Sequence, residues 1–241
     1  MKFTISTIIC IFFLFGCINK SEGKYKSDVI PDSLKVTIIS TKNYSVEDVS
    51  AKDFDEAVKN YDAKFVYDTL KYPKTNGVIM LPISNEKYRF LKDTLEQDPE
   101  FGDYRVYKYL GHFTDINSYL VLGGFYEYLE YYLIKINSGK IDTIFGLPKI
   151  SPKNKYIMTI NEMGGMGDEL IGFHIWKIEN DRIDFIVTVD SETMGWYPVD
   201  FIWDNNGNII IKVISTKSND YKNYNKIKQS KDCIYKRLIL K

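Results

Sequence analysis

Side chains able to do covalent or acid–base chemistry are sparse in this chain of 241 residues, which has three cysteines and two histidines. Cys10 and Cys17 belong to one N-terminal apolar run, so Cys233 is the cysteine left to the body of the chain. Lys231 and Lys236 lie near it in sequence, and nearby cations favour a thiolate. A lone cysteine opening a strand is nevertheless expected in the core. With Cys10 and Cys17 set apart, the body has no internal disulfide and no cysteine-type zinc spacing.

His112 follows Gly111 at an expected strand end, close to Asp115. It is the one histidine placed to act as a base, but no serine or cysteine context marks a nucleophile beside it. An envelope hydrolase assembled from dispersed residues around His112 is the alternative reading of function. His174 sits between Phe173 and Ile175 in an expected strand and reads as a packed, structural histidine.

Two loops stand out as binding candidates. Asn161-Glu162-Met163-Gly164-Gly165-Met166-Gly167-Asp168-Glu169 carries three glycines, which permit close backbone approach. Its carboxylates are hard oxygen ligands of the calcium type, but neither phosphate-loop nor dinucleotide spacing is present. Met194-Gly195-Trp196-Tyr197-Pro198 sets two aromatics beside a glycine and a proline, a loop suited to showing a flat surface to a sugar, peptide or protein. Trp196, Tyr197, Glu162 and Asp168 are therefore the candidate binding residues. No catalytic residue, metal site or cofactor is assigned. Asp204-Asn205-Asn206-Gly207-Asn208 has the flavour of a calcium loop but lacks the closing glutamate, so it reads as a turn.

The elements that must position these residues are mostly strands. Nineteen tyrosines, 14 phenylalanines and several isoleucine and valine runs favour them. Short alternating runs recur at Val106–Leu110, Tyr119–Leu122, Phe125–Leu129, Tyr132–Ile136, Tyr156–Ile160, Gly172–Ile178, Ile183–Val189, Val199–Trp203, Ile209–Ile214 and Ile234–Leu240. Ile183, Phe185, Val187 and Val189 are expected on one face. Leu34–Thr41 suits a first strand. Phe54, Ala57 or Val58, and Tyr61 recur at helical spacing after Ser50, which with Asp53 approximates a capping pair, so one short helix is expected over residues 51–61. Residues 64–92 show weak periodicity, broken by Pro73, Gly77 and Pro82.

The chain also repeats itself. Residues 133–144 align without a gap on residues 175–186, residues 115–121 on 152–158, and residues 204–211 form a looser copy. Repeats of about 40–50 residues, each a few antiparallel strands, resemble β-propeller blades. The turn-then-strand phrase Ser151-Pro152-Lys153-Asn154-Lys155-Tyr156-Ile157 is similar to one found in bacterial envelope propellers. Closure usually takes four blades, and residues 28–110 show no copy. The expected fold is mainly β, an antiparallel meander or propeller-like blades, incomplete, with one short N-terminal helix. Residues 31–104 are expected as a mixed region packed on the sheet and residues 105–241 as the antiparallel repeats.

Lys2 is followed by an uncharged stretch up to Cys17, the layout of a secretory signal. The stretch is shorter than the roughly 20 apolar residues of a membrane span. Leu14-Phe15-Gly16-Cys17 resembles the lipobox of bacterial lipoproteins, with Leu14 and Gly16 at the matching places and Phe15 bulkier than usual. The resemblance implies cleavage before Cys17, acylation of its thiol, a signal over residues 1–16 and a tether over residues 17–30. It implies a bacterial cell-envelope protein held on a membrane through lipid on Cys17, at the outer membrane or cell surface if the host has two membranes. A non-enzymatic binding or structural module for an envelope protein, peptide or glycan partner is the expected function. Acidic and basic side chains balance at 32 each, which gives no reason to expect a nucleic-acid partner. Lys217, Lys222, Lys226, Lys228 and Lys231 concentrate positive charge near the end of the chain, a composition suited to a solvated loop or to anionic lipid.

Overall fold

The computed structural model describes residues 44–95, 104–125, 128–161, 172–179, 182–218 and 230–240. The expected signal and tether, the expected strand Leu34–Thr41 and most of the lysine-rich stretch lie outside them.

The chain opens with β1 (Tyr44–Val49) and α1 (Ala51–Asn60), then β2 (Phe65–Val66), and the hairpin β3 (Val78–Ile83) and β4 (Lys87–Lys92). Next come β5 (Thr94–Leu95), β6 (Tyr104–Phe113), β7 (Ser118–Phe125), β8 (Leu129–Lys135) and β9 (Ile141–Ile144). β10 (Lys149–Ile150), β11 (Tyr156–Asn161), β12 (Gly172–Glu179) and β13 (Arg182–Asp190) follow. A short α2 (Ser191–Met194) leads to β14 (Trp196–Trp203), β15 (Ile209–Ser215) and β16 (Ile234–Leu240).

The fold is mainly β and antiparallel, as the alternating runs predict. Three meanders form: sheet I is β6-β7-β8-β9 with β2 and β5 both paired to β6, sheet II is β10-β11-β12-β13, and sheet III is β14-β15-β16. β1 completes sheet III by pairing with β16 from Tyr44↔Leu240 to Val49↔Tyr235, so the third four-stranded unit borrows its last strand from the N-terminal region. The sequence echoes fall on equivalent places. Residues 133–144 and 175–186 each span a hairpin, β8–β9 and β12–β13, while residues 115–121, 152–158 and 204–211 are turns entering β7, β11 and β15.

Alternation along each strand sends side chains to two different cores. Leu120 and Leu133 of sheet I meet Ile157 and Trp176 of sheet II. One residue away, Tyr119, Val121 and Ile134 meet Ile79, Leu81 and Leu91 of the β3–β4 hairpin. Met158, Ile160, Phe173 and Ile175 of sheet II meet Phe201, Trp203, Ile209 and Ile211 of sheet III. Ile202 and Ile210 face the other way, onto Phe54 and Ala57 of α1. The layers thus run hairpin, sheet I, sheet II, sheet III, α1. Strands covered on both sides need continuous apolar runs such as Ile209-Ile210-Ile211, and each buried side chain of this kind stabilises the fold by about 1.5–3 kcal/mol.

Three expectations need correction. Phe125–Leu129 is not one strand: the Phe125 N–H donates to the Tyr128 carbonyl at 2.9 Å, so the chain reverses there between β7 and β8. Ile183, Phe185, Val187 and Val189 do not share a face. The register slips so that Ile175 pairs with Val187 but Trp176 with Phe185. That bulge leaves Ile183 and Phe185 on the sheet I side and Val187 and Val189 on the sheet III side. The weakly periodic residues 64–92 contain a regular hairpin closed by the three residues Ser84-Asn85-Glu86, of which Asn85 and Glu86 have positive φ, 65° and 57°. The helix forms as expected, with the Ser50 side chain accepting from the Asp53 N–H and the Asp53 carboxylate accepting from the Ser50 N–H at 2.9 Å.

Candidate functional site

Trp196 and Tyr197 are each 8% exposed and lie in β14. Gly195, at φ +73°, turns the chain directly from α2 into the strand. Trp196 then stacks on Phe173 at 6.2 Å and 11° inside the core between sheets II and III. Tyr197 packs with Val199 and Ile214. The exposed aromatic loop expected at residues 194–198 is not formed, because both aromatics enter a strand with covered faces. Glu162, Asp168 and Gly164-Gly165-Met166-Gly167 lie outside the described residues, as does Cys17. Asp204 makes a turn, its Oδ1 accepting from the N–H groups of Asn206 and Asn208, both at 2.9 Å.

The exposed aromatic surface lies elsewhere, at one end of sheet I. The registers Leu95↔Tyr104, Arg105↔Phe125 and Gly124↔Leu129 bring β5, β6, β7 and β8 to a common end. The turn set by the Phe125–Tyr128 hydrogen bond lays these two rings in parallel, centroids 4.5 Å apart and 9° between planes. Tyr128 is 41% exposed and shares a face with the half-buried Phe125, while the exposed Leu95, Tyr104 and Leu129 fall on the opposite face of the same end. Behind this surface, the Tyr132 hydroxyl donates to the buried Glu130 carboxylate. Burial first, and then the Glu130 charge, push the Tyr132 hydroxyl above its ordinary pKa, so it stays a proton donor. The Tyr132 ring crosses Gly123 so closely that an added Cβ there would lie 2.6 Å from it. A flat aromatic surface on a rigid backing of this kind can stack a sugar ring or a planar side chain. The run Phe125-Tyr126-Glu127-Tyr128-Leu129-Glu130-Tyr131-Tyr132 was the signal for it, and reading its aromatics as strand core hid the surface.

A second cluster gathers around His112. A bulge in β6 shifts the register between Tyr109↔Val121 and Gly111↔Leu120. Without it, residues three apart would point to opposite faces. With it, Tyr109 and His112 come together on the hairpin side of sheet I. Gly111 is required at the bulge: its φ is +146°, and a Cβ would sit 2.3 Å from the Val66 carbonyl oxygen. Tyr109 donates to Asp68 at 2.6 Å, while His112 Nδ1 stands 3.4 Å from Asp68 Oδ1 and 3.5 Å from the Tyr109 hydroxyl. Tyr72 and Tyr119 continue the cluster, their hydroxyls 3.4 Å apart, and Tyr119 donates to the Pro82 carbonyl at 2.8 Å. Partial burial of Asp68 pulls its carboxyl upward, but hydrogen bonds from Tyr109 and His112 outweigh this and hold it below the ordinary carboxylate range. Burial, reinforced by Asp68, pushes the Tyr109 hydroxyl far up, which removes it as a nucleophile. Asp115, the expected neighbour of His112, instead accepts from Thr114 and Asn154.

His174 is buried in the middle of sheet II, between Thr159 and Thr188 in register. Its Nδ1 lies 2.9 Å from the Thr188 hydroxyl, and its Nε2 has no hydrogen-bond partner among the described residues. Phe145, Trp176 and Phe185 surround the ring at 5.5–6.2 Å. Burial pushes its pKa down to about 4, so it is neutral at physiological pH. Cys233 lies by a shallow surface depression with Asp48, Ala51 and Tyr235. Among the described residues, no group of three or more His, Cys, Asp or Glu side chains could hold a metal ion. Nor is any described helix long and apolar enough to cross a membrane. No family model, curated protein or solved structure matches this chain.

Proposed function

We propose that the protein is a lipid-anchored module of the bacterial cell envelope that binds a protein, peptide or glycan partner without catalysing a reaction on it. The lipobox-like Leu14-Phe15-Gly16-Cys17 supports the anchor, which would sit at the outer membrane or cell surface in a host with two membranes. The observation that carries the binding role is the stacked Phe125–Tyr128 pair at one end of sheet I, with Phe125 half-buried and Tyr128 exposed. Aromatic anchors on a rigid base contribute binding area with little loss of conformational freedom. Mass spectrometry of the protein purified from membranes is expected to find an acylated Cys17 at the N-terminus. A photo-crosslinker in place of Tyr128 is expected to trap one envelope component in intact cells. Failure to trap anything, or the same products from a crosslinker at Val58 on α1, would remove this surface from the account.

One observation favours a second reading. Asp68, His112 and Tyr109 lie within hydrogen-bonding range of one another, as an envelope hydrolase using His112 as a base would need. The Tyr109 proton is committed to Asp68, so the attacking group would have to be water. Hydrolysis of envelope ester or glycoside substrates that disappears in His112→Gln, with folding intact, would establish this reading over the first.

A further inference from the structure

Two buried polar atoms on neighbouring strands of sheet II have no hydrogen-bond partner among the described residues, the Thr159 hydroxyl and His174 Nε2. Thr159 is 0% exposed and His174 8%. The registers Thr159↔His174 and His174↔Thr188 set three side chains in one row across β11, β12 and β13. Direct cross-strand partners share a face. That face is the one toward sheet I, because Ile157 and Trp176, each two residues away along its strand, belong to the core shared with Leu120 and Leu133. The imidazole is held in its orientation by Thr188, whose hydroxyl lies 2.9 Å from Nδ1. Turning the ring over would break that bond.

A buried donor or acceptor without a partner forfeits the hydrogen bonds it made to water in the unfolded chain. Two of them side by side would consume a sizeable part of the small net stability of a domain. The Cβ atoms of direct cross-strand partners are about 4.5–5.5 Å apart, so both polar tips lie in one neighbourhood, yet they make no bond to each other. One water molecule spans a polar gap of this kind. The surroundings set the class of ligand. It must both donate and accept, since a hydroxyl does both and Nε2 does either according to tautomer. It must be uncharged, because Phe145, Trp176 and Phe185 surround the imidazole and offer no counter-charge. It must also be small. The Phe145 ring lies 5.5 Å from the imidazole, and at Gly146 an added Cβ would stand 3.3 Å from the Thr159 Cβ and 2.2 Å from the Ile160 carbonyl oxygen. This cover is partly main chain, which brings further donors and acceptors. A buried water takes about two to four polar partners, and Thr159 and His174 meet the lower number.

We propose that one water molecule is bound between the Thr159 hydroxyl and His174 Nε2, in the core between sheets I and II and beneath Phe145 and Gly146. Thr188 then holds the imidazole through Nδ1 and the water holds it through Nε2, so both ring nitrogens are fixed. Phe145 and Gly146 belong to the crossing from β9 to β10, so the water fastens the joint between the first two meanders. The site is separate from the aromatic end of sheet I and independent of the binding and anchor readings.

Two measurements test this. A crystal structure of the parent protein that resolves ordered solvent is expected to show one water within hydrogen-bonding distance of both atoms. In solution, the sign of the effect of Thr159→Val on urea unfolding separates a bound water from an unpartnered pair. Valine keeps the shape of threonine and removes its hydroxyl. With the water bound, the substitution takes away one of its partners, leaves Nε2 unsatisfied and shifts the urea midpoint down. Crystals of this variant should then lack the water. With no water in the parent protein, valine relieves an unpartnered hydroxyl, and the midpoint rises. A raised midpoint would overturn the proposal. So would a parent crystal structure with no solvent between the two atoms, or with a direct Thr159–His174 hydrogen bond. The parent crystal structure decides the matter even if the variant fails to fold.

Discussion

The rings of Phe125 and Tyr128 stack 4.5 Å apart across the turn between β7 and β8. Neither ring is held in place by its own strand alone. The turn hydrogen bond sets their spacing, and the pairing of Arg105 with Phe125 fixes where the turn ends. Replacing Tyr128 by alanine removes half the stack without opening a core. We expect thermal stability to change by under about 1 kcal/mol, as for a surface ring pair, while binding of the partner is lost. A Tyr128→Phe variant should keep binding if stacking carries it, which a binding titration of the two variants would decide.

Gly111→Ala should be strongly destabilising. The backbone there has φ +146°, and the new Cβ would meet the Val66 carbonyl oxygen and the Phe65 ring. Strain at such a position costs on the order of 1–3 kcal/mol even before the clash. Urea unfolding should show a lower midpoint. If the variant folds, the contact of His112 with Asp68 should also be lost, visible as a changed imidazole shift by NMR. A neutral effect would mean that the bulge is not formed as described.

His174 makes the fold sensitive to acid. In the unfolded chain its imidazole takes up a proton below about pH 6.5, whereas in the folded protein burial delays this to about pH 4. Between those values the unfolded state binds more protons. Stability from this group is therefore complete above about pH 6.5 and falls as the pH drops toward 4, by an amount on the order of a few kcal/mol. Denaturation midpoints measured from pH 7 to pH 4 should fall less steeply in His174→Gln than in the parent protein. Parallel curves would assign the acid sensitivity to other groups.

Glu86 is an unusual residue for its backbone, with φ 57° in a turn where the preceding Asn85 is also at positive φ. A side chain in that conformation costs about 1 kcal/mol that glycine avoids. Glu86→Gly should raise the melting temperature slightly and remove the one acidic group of the hairpin.

Local patterns in the chain were enough to place many of its elements. Ser50 with Asp53 announced the helix, and the paired echoes at 133–144 and 175–186 announced two equivalent hairpins. Those signals are legible because capping and turns depend on residues close in sequence. The β3–β4 hairpin was missed because both faces are apolar, so period two is lost in a run such as Val78-Ile79-Met80-Leu81-Pro82-Ile83. The split of Ile183 and Phe185 from Val187 and Val189 was missed because one bulged residue reverses every side chain beyond it.

What the sequence determined by itself is the strand-rich composition, the turns, the helix and the uncharged run that ends at Cys17. Only the tertiary structure decided that Trp196 is core while Tyr128 is surface, since exposure of an aromatic depends on which layer covers it. It also decided that Asp68 meets His112 and that β1 joins β16 across nearly the whole chain. Pairings of that kind are made between layers and strand edges, and no local pattern along the chain encodes them.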